Sequence, residues 1–229
     1  RPSCMVPVFL GTVPMRKDRP MPGKGCGFAF DPVAVGRSEC EAWVAYYRRD
    51  WLRMLAEALG MVRHGFALGP FGNLKAAWHV MRANQAWAPY PDNDPEAAQR
   101  HMARFYRMTS KAGRLSIDSK IAAELEVAWW HVHRLHQHDD QVTDEDLVAS
   151  LVRLYSYIYQ AEPGDVRRAA ELRAAAMALS DAWVADGCHL DDPTLAQQRL
   201  ALVASFTALR EASDRGALAS VQPQEAEVF

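Results

Sequence analysis

The chain has 229 residues, 49% hydrophobic and 24% charged, with a formal net charge of -2 and a sequence pI of about 6.5. That length suits one domain with a sizeable core. The balance gives no global pull toward nucleic acid or anionic lipid, so neither is expected as a partner.

Residues 1–31 are dense in proline and glycine and nearly free of acids, which predicts a floppy tail or an extended arm packed on a partner subunit or over a site, and no long helix or central strand. Its apolar stretch, Met5–Val13, is too short and too proline-interrupted for a signal peptide, and no run in the chain reaches the ~18–20 residues of a membrane span. The four cysteines, at 4, 26, 40 and 188, fit neither a zinc knuckle nor a C-x-x-C pair, so reduced thiols and a cytoplasmic setting are expected.

Residues 32–218 show helical periodicity and no strand pattern, and predict one all-α domain: an up-and-down bundle of about seven helices, with a tail over 219–229. The first helix is expected from Ser38 to Phe66, bent or ended by Gly60 or Gly65. Trp43, Trp51, Met54 and Met61 form one stripe, and Val44, Leu52, Leu55 and Val62 a second. The second covers about Phe71–Trp87, with Phe71, Leu74, Trp78 and Met81 on its apolar face. Asp94 and Pro95 open the third, which runs to about Ser110, and Ser116 or Asp118 opens the fourth, which ends near His138. Thr143 with Asp146 reads as a capping box for the fifth, to about Gln160. The sixth starts at Pro163 and stops at Gly187, and Asp192-Pro193 opens the seventh.

The fourth helix carries "ELEVAWWHVHRLHQHDD", Glu124–Asp140. At 100° per residue its aliphatics Ile121, Leu125, Ala128, Val132 and Leu135 make one seam, the expected buried one. Glu126, Trp129, His133 and His136 form a strip beside it, with Trp130 just beyond Glu126, while Glu124, His131 and His138 lie on the other flank. His133 and His136 stand three residues apart and can approach one point. An imidazole with a carboxylate nearby suits general acid–base work. Glu126, His133 and His136 are therefore the candidate catalytic set, with Trp129 and Trp130 as pocket walls.

Arg49, Tyr47 and Arg82 are added as ligand contacts, together with Asp181, which in the seam of the sixth helix either answers an arginine such as Arg82 or Arg49 or sits at the seam's edge in water. His101 reads as a core-bordering histidine. Arg100, Arg104, Arg107 and Lys111 form a basic stripe on the third helix, more consistent with a solvated face than with phosphate contact. No phosphate loop, nucleophile elbow or dinucleotide fingerprint occurs. The Glu-x-x-His pair of di-iron bundles is also absent, so no metal ligands are assigned; the histidines permit a metal or haem and require neither.

These residues lead to an expectation of a small organic molecule bound in an aromatic-walled interior pocket. If the protein is an enzyme, the Glu/His set suits proton transfer or metal- or haem-assisted oxidation. The alternative is a non-catalytic interaction protein, homodimeric through its arm and apolar helix faces.

Overall fold

The computed structural model describes residues 30–66, 68–113 and 115–219. The arm expected over the first residues and the tail beyond Ala219 lie outside them. Eight helices, and no strand among the described residues, make up the fold: α1 (Pro32–Tyr47), α2 (Trp51–Gly65), α3 (Pro70–Trp87), α4 (Pro95–Gly113), α5 (Ser119–His136), α6 (Asp144–Tyr159), α7 (Pro163–Ala185) and α8 (Thr194–Ala219).

Local chemistry sets most of these boundaries. Asp31 caps α1 by accepting from the backbone N–H groups of Val33 and Ala34, and Pro32 fills the first turn. Asp118 caps α5 through Lys120 and Ile121. The Thr143/Asp146 capping box opens α6 with both reciprocal hydrogen bonds in place. Gly187, with φ 97°, follows the end of α7.

The expected 38–66 helix is two helices. The break falls at Arg48-Arg49-Asp50; Gly60 lies inside α2, and Gly65 is its last residue, as one of the two expected ends. Arg49 adopts φ 58° in the left-handed region, and Asp50 caps α2 by accepting from the Arg53 backbone N–H at 3.0 Å. The left-handed turn at a non-glycine residue costs about 1–2 kcal/mol. It is held by the Arg49 guanidinium, which lies over the Tyr46 and Trp51 rings and donates to the Ala88 carbonyl. A wheel cannot see this break, because apolar residues resume at helical spacing after it.

The helices pack in chain order, each against the next, and α8 returns to pack on α1. The α1–α8 contact is close: a Cβ on Gly36 would stand 2.9 Å from the Val203 backbone. Side chains directed to the middle therefore meet partners from helices beyond their packing neighbours as well as from those neighbours. Arg173 of α7 sits among Trp43 of α1, Trp129 of α5 and Phe206 of α8.

Two wheel phases need correcting. On α5 the aliphatic seam is not the buried face: Ile121 and Leu135 are 44% and 38% exposed, whereas Ala122, Glu126, Trp129, Trp130 and His133 are buried. On α3, Phe71, Leu74 and Trp78 face outward, and Ala76, Ala77, Val80, Ala83 and Trp87 form the inner face with Met81. The interior has room for indoles and polar groups that find partners, and small alanines let helices approach. Counting aliphatics therefore picks the wrong side of both helices.

Candidate functional site

α5 brings Glu126, Trp129, Trp130 and His133 into the interior, and each meets a defined partner. The Glu126 carboxylate accepts from the Tyr106 hydroxyl at 2.5 Å, from Trp129 Nε1 at 3.2 Å and from Trp130 Nε1 at 3.1 Å. Burial pushes its pKa up to about 7, although the Tyr106 hydrogen bond, the Arg173 charge and the two indoles all pull the other way. Burial also raises the Tyr106 phenol well above its ordinary value, and the adjacent Glu126 adds to the shift.

Beside this group lies a buried ion pair between α1 and α7. Arg173 donates Nη1 to Glu39 Oε2 at 3.0 Å and Nη2 to Oε1, and both side chains are fully buried. Trp43 Nε1 also donates to Glu39 Oε1, at 3.3 Å. The arginine plane lies over the Trp43, Trp129 and Phe206 rings, 5.4–5.9 Å from their centroids. Burial raises the Glu39 pKa against the pull of Arg173. Burial also opposes charge on Arg173, but Glu39 more than offsets it and the guanidinium stays ionised.

His133 turns away from Glu126. Its Nε2 meets Asp181 Oδ2 at 3.1 Å, and Asp181 Oδ1 accepts from Gln137 at 2.7 Å. The partners of Asp181 are thus a histidine and a glutamine rather than an arginine, and its side chain is partly exposed at the edge of the seam. With Nε2–H donating to the carboxylate, Nδ1 presents a lone pair, buried and without a hydrogen-bond partner among the described residues. His136 leaves the strip: its side chain is 27% exposed and pairs with Asp144 at the start of α6, at 2.9 Å.

The remaining expected contacts are scattered. Tyr47 packs edge-on against Tyr46 and Trp183, Arg49 holds the α1–α2 turn, and Arg82 is exposed and bonds Gln85 within its own helix. Trp129 and Trp130 are buried, each donating its Nε1–H to Glu126, and neither lines either cleft flanking α4. The structure therefore unites Glu126 with its two tryptophans, and His133 with Asp181, but does not join the three proposed catalytic groups at one point.

Glu39, Tyr106 and Arg173 were not singled out from the sequence. Glu39 and Arg173 are 134 residues apart. The one available signal was a lone arginine in the alanine-rich run "ELRAAAMAL". His101, expected at a core border, has its Nδ1 3.1 Å from that of His79 on α3. Its pKa is lowered to about 4 by burial first, then by His79, Arg104, Arg82 and Arg100.

Two open clefts flank α4. One of about 620 Å³ lies between the end of α4 and the start of α5, lined by Arg107, Lys111 and Asp118 among others. A second, about 520 Å³, is lined by Glu96, Arg100, Arg104, Arg107, Lys120 and Glu124. Neither includes Glu126, His133 or His136. Among the described residues no group of three or more His, Cys, Asp or Glu is placed to hold a metal, and no helix is long and apolar enough to cross a membrane. Burial pushes the Cys40 thiol up to about 12, so it is no nucleophile. The chain matches no family model, no curated protein and no solved structure.

Proposed function

We propose that the protein is a non-catalytic docking protein whose working surface is the outer face of α3 and α4. In this reading the helices form an up-and-down bundle that serves as a rigid frame. The observation that carries it is the strip of Phe71, Leu74 and Trp78 on α3, which are 90%, 49% and 47% exposed. Large apolar side chains aligned on one helix face and left exposed among the described residues are characteristic of an interaction site. Lys75 and Arg82 lie on the same exposed face, and Arg104, Arg107 and Lys111 are exposed on the adjacent α4. A second copy of the chain fits this face poorly. An isologous contact would lay the cationic strip against itself, and like charges brought together oppose association.

Binding to immobilised heparin tests the charge half of this reading. The intact chain is expected to be retained at low salt despite its net acidity, and Arg104→Glu with Arg107→Glu is expected to elute much earlier. An intact chain that flows through, or an unchanged elution of the variant, contradicts the reading.

A second reading keeps the interior as a binding site for a small organic molecule, with Glu126 and His133 as acid–base groups. Its support is the carboxyl of Glu126, whose pKa of about 7 suits proton transfer, together with the unpartnered buried Nδ1 of His133. A ligand that raises the melting temperature of the intact protein but not of His133→Ala would favour it over surface docking.

A further inference from the structure

The surface assigned above to docking has the chemistry of one class of partner. We propose that the α3–α4 face binds the headgroup layer of an anionic lipid bilayer, with Phe71, Leu74 and Trp78 entering the interface and the surrounding cations meeting the phosphates. The inference rests on the docking reading and names its partner.

Phe71, Leu74 and Trp78 stand at i, i+3 and i+7, so they project from one side of α3. Lys75 and Arg82 share that exposed side, and α3 contains no acid at all. An apolar strip edged by cations is the pattern of a helix that lies in the plane of a membrane surface, and a tryptophan belongs at its headgroup level. The charge is concentrated here against the trend of the chain. From Arg63 to Arg114 there are eight Lys/Arg and three Asp/Glu, in a protein of net charge -2. The three acids, Asp92, Asp94 and Glu96, all fall in the α3–α4 loop and the first turn of α4. Arg100 is taken up by Asp94 and Glu96. Lys75, Arg104, Arg107 and Lys111 make no ion pair among the described residues.

The two helices present these charges as one surface. His79 of α3 meets His101 of α4, and this contact feels Lys75 and Arg82 from one helix and Arg100 and Arg104 from the other. Glu124 of α5 is the acid at the far edge, in the cleft with Arg104 and Lys120.

A nucleic acid would satisfy the cations and give Trp78 and Phe71 bases to stack on, but it leaves the aliphatic Leu74 side chain without a partner. A bilayer covers the whole strip. The expectation from sequence of no membrane partner came from net charge and span length, and neither quantity reports one face of one helix pair.

The test uses the full chain and vesicles of phosphatidylcholine with or without phosphatidylglycerol. Of the seven tryptophans, Trp78 is exposed, Trp51 is half-buried and the other five are buried. Acrylamide quenching of the intact protein therefore reports mainly Trp78. Anionic vesicles are expected to pellet the protein and to protect Trp78 from acrylamide, whereas phosphatidylcholine alone does neither. Phe71→Ser with Leu74→Ser is expected to lower vesicle affinity at least tenfold. Arg104→Glu is expected to lower it about fivefold or more, the effect of one cation near such a surface. Absence of binding to anionic vesicles, or binding that ignores Phe71 and Leu74, overturns the lipid assignment. If heparin retention persists in that case, surface docking stands and only the lipid is wrong; if both are absent, both fail. Protection of Trp78 by an oligonucleotide but not by vesicles overturns the assignment in favour of nucleic acid.

Discussion

α5 and α3 are helices of equal length with opposite arrangements. α5 turns Glu126, Arg134 and its indoles inward and leaves Ile121 and Leu135 in solvent, while α3 buries alanines and leaves Phe71, Leu74 and Trp78 outside. The difference lies in what each face finds opposite it. Glu126 is met by a phenol and two indole N–H groups, and its neighbour Arg173 by the Glu39 carboxylate. The strip on α3 stands exposed among the described residues. A centre whose buried carboxylates are met by donors acts as structure, and an apolar strip left exposed is where another molecule can contribute binding energy.

The largest way to break this comparison is to remove a partner from the centre. Arg173→Met leaves Glu39 as a buried unpaired carboxylate and is expected to cost about 3–5 kcal/mol in urea unfolding. Arg173→Met combined with Glu39→Met should recover most of that loss, because replacing both members of a buried pair is often neutral. If the single variant is as stable as the parent, the pair is not where the structure places it.

Glu126→Gln tests the same centre through pH. The folded carboxyl holds its proton up to about pH 7, whereas the unfolded one loses it near its ordinary 4.5. Across that window the native state binds the extra proton, so stability falls as pH rises and levels off above about 7. The shift corresponds to a fall on the order of 3 kcal/mol. Glu126→Gln should lack this slope and gain on the parent steadily from about pH 4.5 to about pH 7, read as unfolding free energy against pH. Parallel curves for the two proteins would mean that the carboxyl is wet.

Gly36→Ala sharpens the packing side of the account. The added methyl meets the Val203 backbone, which cannot turn aside as a side chain can, and about 1–3 kcal/mol of stability should be lost. The smallest effect is expected on the outer face. Phe71→Ser, Leu74→Ser and Trp78→Ser should each change stability by no more than about 0.5 kcal/mol, as surface substitutions do. A loss several times larger at Phe71 would show the strip to be covered by some part of the chain.

Much of the fold was legible in the sequence, because caps and breakers act locally. Asp118, the Thr143/Asp146 box, Pro163 and Gly187 mark helix ends by chemistry contained within a few residues. The Arg48–Asp50 turn escaped because its left-handed residue is an arginine held by Tyr46, Trp51 and the distant Ala88 carbonyl. The site was less legible, for a similar reason. Glu126 and Trp129 lie near one another on a wheel, but Tyr106 and Arg173 come from other helices, and no periodicity in α5 points to them. Hydrophobic counting also assigned Phe71, Leu74 and Trp78 to the core, when the inner face of α3 is built from alanines too small to dominate a pattern.

Indole hydrogen exchange on the intact protein tests the contrast between a closed centre and an open face most directly. The account predicts that the Trp129 and Trp130 N–H protons, both bonded to Glu126, exchange only through large-scale opening, while the exposed Trp78 N–H exchanges as fast as a free indole. Exchange of Trp129 and Trp130 at the Trp78 rate would show a centre open to water, and would return the search for function to the interior.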